Sequence, residues 1–262
     1  MSAIYFLVSL TILNMSCEEA TATKSSIDEG TATAVNLVDR ETSDTFLGSA
    51  ASEIGIQPDT SLSYQQVKKQ IEKLRTDLAR QDLTADTVGL LFTDWLVKKI
   101  IPYWYGTKWS FEGHTAIPSS GTIACGYFVS TTLKDMGLVV NRYRLAQQSP
   151  INEAKSINLS NAVVEVSEGS IEGNIEKLTK LTREGIYFIG LDQNHVGFLL
   201  HQTGSLFFIH SNYLQAKGVE LERIEDSSVF SFYDRFYLAE ISTNERLMEK
   251  WLNQDEIEVL TR

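Results

Sequence analysis

The stretch Asn194-His195-Val196-Gly197-Phe198-Leu199-Leu200-His201-Gln202-Thr203-Gly204-Ser205-Leu206-Phe207-Phe208-Ile209-His210-Ser211-Asn212 reads as two strands folded back on each other. Apolar and aromatic residues run on both sides of a short turn signal. Two turns fit. If Gln202-Thr203 forms the centre, His195 lies opposite His210. If Thr203-Gly204 forms it, which suits glycine better, His195 faces Asn212. Strand side chains alternate, so 210 and 212 share a face, and both registers set a polar partner beside His195.

Working outward, the period-two pattern also covers 185–192, 218–224 and 236–241, joined by short loops that favour antiparallel pairing. Upstream the period is helical. Val67, Ile71, Leu74 and Leu78 form one apolar face within 63–80, and a second helix spans 84–101, ending near Pro102. Ile171, Ile175, Leu178 and Leu181 mark a helix over 170–182, and 244–253 closes the chain with another. Helices first and a meander of strands after make an α+β domain over 61–262. Its helices are expected on one side of a mostly antiparallel sheet of five or six strands.

Cys125 lies in Gly121-Thr122-Ile123-Ala124-Cys125-Gly126-Tyr127-Phe128-Val129, and it is the only cysteine outside the extreme N-terminus. Small residues precede it. Phe128, Val129, Thr132 and Leu133 follow at helical spacing, with Gly137 as a stop, so the thiol heads a helix. Unpaired N–H groups and the positive end of the helix dipole there favour thiolate. A lone thiol with a distant histidine is the one-dimensional pattern of a nucleophilic cysteine enzyme. In such a site Cys125 attacks, His195 takes its proton, and a third group, His210 or Asn212, fixes the imidazole tautomer. The neighbouring backbone N–H of Cys125 serves as an oxyanion donor. His201 sits at the turn and is expected in solvent; His114, in a Gly-rich loop shortly before Cys125, is a candidate to line the cleft. No ligand cluster such as H-E-x-x-H occurs, so neither a metal nor another cofactor is expected.

The chain has 262 residues and a formal net charge of −11, which argues against nucleic-acid backbones as partners. Two cysteines so unequally placed give no disulfide framework. Ile4 to Leu13 is mostly apolar, and Cys17 follows the small Ser16. That pattern over 1–17 reads as a secretory signal, with Cys17 like the lipid-acceptor cysteine of bacterial lipoproteins. The Ser/Thr/Glu-rich stretch 18–60 reads as a flexible tether. The expected location is therefore the cell envelope, with a membrane anchor at Cys17.

Four stretches together resemble the NlpC-type cell-wall cysteine peptidases, a branch of the papain-like fold. Pro102-Tyr103-Trp104-Tyr105-Gly106-Thr107 is similar to the family's Pro-Tyr-x-x-Gly-Gly run. Cys125-Gly126-Tyr127-Phe128-Val129 resembles Cys-Ser-Gly-Phe-Val on the nucleophile helix. His195-Val196-Gly197-Phe198-Leu199, followed by Phe208-Ile209-His210-Ser211, is similar to His-Val-Gly-Ile-Tyr and Phe-Ile-His-Ala. Phe232-Tyr233-Asp234-Arg235-Phe236 is like the family's aromatic-rich final strand. The resemblance covers about residues 85 to 242. It implies Cys125 as nucleophile, His195 as base, His210 as orienter, and Tyr103 as a holder of the oxyanion or thiolate. Ala124 stands where the family usually has Asp, Gly126-Tyr127 replaces Ser-Gly, and 141–174 has no clear counterpart. The implied activity is hydrolysis of a peptide or amide bond, with peptidoglycan stem peptides as the family's usual substrate. The alternatives are a non-catalytic papain-like binding lipoprotein, and a papain-like amidase or deamidase acting on a protein partner.

Overall fold

A computed structural model describes residues 61–159 and 162–261. The expected signal segment, the lipid-acceptor Cys17 and the tether lie outside the described residues.

Ser63 opens the first helix, α1 (Tyr64–Leu78), with a capping box: its hydroxyl accepts from the Gln66 N–H while the Gln66 side chain accepts from the Ser63 N–H. Thr84 caps α2 (Ala85–Trp95) in the same position. The expected stop at Pro102 does not hold. A π-helical turn, Leu96–Ile100, widens the helix first, and Pro102 then falls in the opening positions of α3 (Ile101–Trp104). There its missing N–H needs no partner, so the chain stays helical through it.

Next come α4 (Cys125–Asp135), β1 (Val139–Val140), α5 (Arg142–Ala146), α6 (Pro150–Ile157), β2 (Val164–Val166) and α7 (Ile171–Leu181). Strands β3 (Gly185–Leu191), β4 (His195–Gln202), β5 (Ser205–Asn212), β6 (Gly218–Arg223) and β7 (Phe236–Glu240) follow, then α8 (Glu245–Asn253) and β8 (Glu256–Ile257). The six-stranded sheet has the order β2-β7-β3-β4-β5-β6, and each neighbouring pair is antiparallel. β1 and β8 pair in parallel apart from it.

The hairpin register is the Thr203-Gly204 one: Gln202 pairs with Ser205 and Phe198 with Ile209. Both turn residues have positive φ, 52° at Thr203 and 76° at Gly204, as a type I′ turn requires.

Alternation divides the strand residues between two cores. Ile186, Phe188, Val196, Phe198, Leu200, Phe207 and Ile209 join the first, together with the buried faces of α1, α2, α4 and α8. Tyr187, Ile189, Leu191, Leu199, Leu206 and Phe208 join the second. That second core is closed by Leu178 of α7 and by Ile224, Val229 and Phe230 from the turns after β6. The sheet is thus covered on both faces, not on one as the element order implied. A strand buried on both sides is continuously apolar, which explains why the seven residues of β3 are all buried.

Candidate active site

α4 is fixed to the sheet one turn beyond its first residue. The Phe128 ring meets Phe198 of β4 at 5.9 Å and Trp104 at 6.4 Å, both edge-on. The approach to the helix is tied down as well. Ser211 of β5 donates to the Ile123 carbonyl at 2.7 Å, and the Ala124 N–H donates to the Gly113 carbonyl at 2.8 Å. Ala124 is the N-cap, and it offers no side-chain acceptor to the free N–H groups of the first turn. Where the resembling family usually places Asp, this chain leaves those donors uncapped and available to a developing oxyanion.

Cys125 and His195 line one cleft of about 770 Å³. His195 begins β4, and the backbone N–H of Val196, the next residue, favours the thiolate form of Cys125. The helix that carries the thiol packs on the first core, while His195 shares the second-core face with Phe208. Both line the cleft at the end of the strand. His195 Nε2 lies 2.9 Å from His210 Nδ1, and His210 Nε2 lies 3.1 Å from Glu222 Oε1. The chain of contacts crosses three neighbouring strands, β4, β5 and β6. The Phe208 ring stacks on His210 at 4.1 Å and backs it. Gly197 makes room for that stack: a Cβ there would stand 2.6 Å from Phe208 and 3.0 Å from the His210 Cβ.

The direction of the bonds follows from Glu222. As a carboxylate it accepts from His210 Nε2–H. A neutral His210 then accepts at Nδ1, so His195 must donate from Nε2 and keep a lone pair at Nδ1. That is the tautomer of a base. Burial holds His195 well below its usual range, with His210 adding to the effect. Burial and the Lys217 charge push His210 down to about 3. Burial raises Glu222, and a hydrogen bond from Ser227 partly offsets this.

The thiol differs from the sequence expectation. Burial, first, and the Glu153 carboxyl, second, push Cys125 up to about 11, against the pull of the N–H groups of Val196, Gly126 and Cys125. The helix start does favour thiolate, but desolvation outweighs it. At rest the pair is a neutral thiol beside a neutral imidazole.

The other sequence candidates are placed as follows. Asn212 turns its amide to Glu220 and accepts from the Leu214 N–H at 2.7 Å, so the place beside His195 belongs to His210. Tyr103 does not line the cleft. Its hydroxyl donates to the Leu62 carbonyl and its ring packs on Tyr64, which draws it to the start of α1 instead. His114 is exposed, with Nδ1 at 2.8 Å from the Glu112 carbonyl, and does not line the cleft either. His201 is buried, bonded to Thr182 Oγ1 at 2.9 Å, not in solvent. Covering the second face of the sheet is what encloses it.

Three lining residues carried no signal in the sequence. Glu153 of α6 is 2 % exposed in the cleft wall. Trp109 presents an indole N–H that has no partner among the described residues. Tyr213 places its ring 5.3 Å from His195. Glu222 could have been found, since Glu220 and Glu222 alternate with buried Val219 and Leu221 on a strand next to His210.

His210, Glu220 and Glu222 hold ligand atoms within 4.8 Å of one another. Lys217 Nζ stands 3.9 Å from Glu220, and Asn212 already donates to that carboxylate. An ammonium and an amide donor aimed at the cluster suit a proton-ordering network better than a cation. No family model matches this chain, and no curated protein matches it.

Proposed function

We propose that this protein is a cysteine hydrolase of papain-like, NlpC-type character that cleaves a peptide or amide bond. The observation that carries the reading is the 2.9 Å bond from His195 to His210 in the cleft that also holds Cys125. Nδ1 of His195 is left as the free acceptor.

Because thiol and imidazole are both neutral at rest, proton transfer and attack are coupled. His195 takes the thiol proton as sulfur adds to the carbonyl carbon, and the uncapped N–H groups at the start of α4 receive the oxyanion. Tyr103, bonded to the Leu62 carbonyl, is withdrawn from this role. The imidazolium then protonates the leaving amine, and water, activated by the same histidine, releases the acyl group from sulfur.

Peptidoglycan stem peptides are the substrate the resemblance suggests, and an exported protein anchored at Cys17 belongs to the same reading. The test is incubation with peptidoglycan fragments and mass spectrometry of the products, wild type against Cys125→Ala. New amine and carboxyl termini that depend on Cys125 are expected; identical fragments from both proteins would refute the assignment. The raised thiol favours a second reading, a binding protein on a retired catalytic fold. Cys125→Ser separates them, since a binding role survives that change and hydrolysis does not.

A further inference from the structure

Hydrolysis as described makes no use of Glu153. This side chain lies in the cleft wall, 2 % exposed, and its Oε2 has no hydrogen-bond partner among the described residues. A buried oxygen left unmatched is costly, so such atoms point to something that meets them. Its position is tied to the nucleophile. A Cβ on Gly126 would stand 2.9 Å from Glu153 Oε1 and 2.8 Å from the Ala146 carbonyl. Serine, the residue of the resembling pattern at this place, would collide with the carboxyl. Gly126 and Glu153 are thus coupled departures, and they set a carboxyl one residue away from the attacking sulfur.

The rest of the cleft has one sign. Its acidic lining residues are Glu112 and Glu153, and no Lys or Arg lines it. Six aromatic rings do: Trp109, Phe111, Tyr127, Tyr213, Phe232 and Tyr233. Phe111 and Phe232, 79 % and 77 % exposed, form its rim. The Arg142 guanidinium stacks 5.7 Å from the Tyr127 ring and is occupied by the carbonyls of His114 and Thr115. Carboxylates together with ring faces make a receptor for an organic cation.

We propose that Glu153 receives an ammonium group of the substrate close to the scissile acyl carbon, with the aromatic rim as the wall of that subsite. The inference rests on the hydrolase reading and narrows its substrate class to acyl compounds bearing an amine near the bond that is cut. Burial keeps the Glu153 carboxyl well above the usual carboxylate range, so it waits uncharged. An arriving ammonium draws it into an ion pair, and its proton leaves to water. Paired with the ammonium, the ionised carboxyl brings no net charge to the neighbourhood of the Cys125 sulfur.

The experiment uses three methanethiosulfonates of one reacting group: methyl, aminoethyl and sulfonatoethyl. Each transfers its thioalkyl to sulfur and releases methanesulfinate. Labelling of Cys125 is followed by peptide mass mapping, which separates it from Cys17, and each rate is divided by that with a free small thiol. The aminoethyl reagent is expected to outpace the methyl one by about tenfold or more, the size of a charge-assisted contact. The sulfonatoethyl reagent is expected to be slowest. In Glu153→Gln, which keeps the shape, the aminoethyl-to-methyl ratio is expected to fall toward one. A wild-type ratio near one, or one that Glu153→Gln leaves in place, overturns the receptor. Should that variant fail to fold, butylamine and butanol are compared as protectants of wild-type Cys125 against the methyl reagent. Protection by the amine alone supports the proposal, and equal or absent protection overturns it. If Cys125 is silent toward all three reagents, the hydrolase reading falls and this one with it; labelling without charge preference removes only the receptor.

Discussion

His195 Nε2 meets His210 Nδ1 along a diagonal of the β4–β5 ladder. In this register Gly197 stands across from His210, and His195 lies two residues further on the same face. Residues two apart across an antiparallel pair are within reach of long or aromatic side chains. His210 therefore orients His195 even though the turn sets Asn212 straight across from it. His210→Ala is expected to lower turnover about 100-fold or more, the usual scale for a base that loses its orienter. Asn212→Ala is expected to cost less than about tenfold, because its amide serves Glu220. Steady-state kinetics on the two variants check the assignment, and equal losses would contradict it.

Gly197 is required for its lack of volume. A methyl group there meets Phe208 at 2.6 Å, the Ile209 carbonyl at 2.8 Å and His210 at 3.0 Å. Gly197→Ala must move the stacked pair Phe208–His210 or the strand itself. Overpacking of this kind costs about 1–3 kcal/mol, to be read from denaturant unfolding. Activity should fall further than stability does, because the displaced ring is the one that aims His195.

Glu222 sets the polarity of the imidazole chain, and the acid limb of activity should belong to it. Its pKa is raised, burial being the main cause; Asp226 adds to the rise, while Ser227 and Lys217 oppose it. Glu220, Asn212 and His210 complete its polar surroundings. The sign is fixed by the bond order. Above its pKa, Glu222 accepts from His210 and His195 keeps its free lone pair. As pH falls through that raised pKa, Glu222 takes up a proton and becomes a donor, the chain reverses, and activity is lost. Burial, with His210 adding to it, holds His195 well below its usual range. Glu222→Gln is expected to lower turnover and to abolish this limb of the kcat profile. A limb unchanged in that variant would assign it elsewhere.

The residues of the candidate site were legible in the sequence because they sit on strong local patterns. The period-two run around His195 and the helix signals after Cys125 each predict their element, and of the two turns the sequence allows, the one that suits glycine, Thr203-Gly204, is the one that forms. What the pattern could not carry was layer assignment. β3 is apolar at every position because it is buried on both faces, and a continuous run does not show which face meets which helix. The segment after Asn141 was opaque for another reason. α5 has five residues and α6 eight, too short for a helical period to stand out, and Glu153 looks there like any surface acid. Tyr103 matched a motif by sequence, yet its neighbours in space, Leu62 and Tyr64, lie some forty positions earlier and only folding brings them to it.

The charge state of Cys125 gives the last prediction, and it separates a resting ion pair from a resting neutral pair. A free thiol titrates near 8.5, and a sulfur stabilised as thiolate by a helix start titrates lower. Here burial and Glu153 outweigh the three backbone donors, and the thiol is pushed up to about 11. Alkylation by iodoacetamide, which needs thiolate and brings no charge, is expected to keep accelerating past pH 9 instead of levelling off. Glu153→Gln removes the second cause of the rise, so the curve of that variant should shift to lower pH over the alkaline range in which Glu153 is ionised. Hydrolysis should not follow the alkylation curve, because in the proposed mechanism His195 accepts the proton as the bond forms. A wild-type alkylation rate already flat below about pH 8 would mean that the sulfur is ionised at rest, and coupled proton transfer would then have to give way to a preformed thiolate–imidazolium pair.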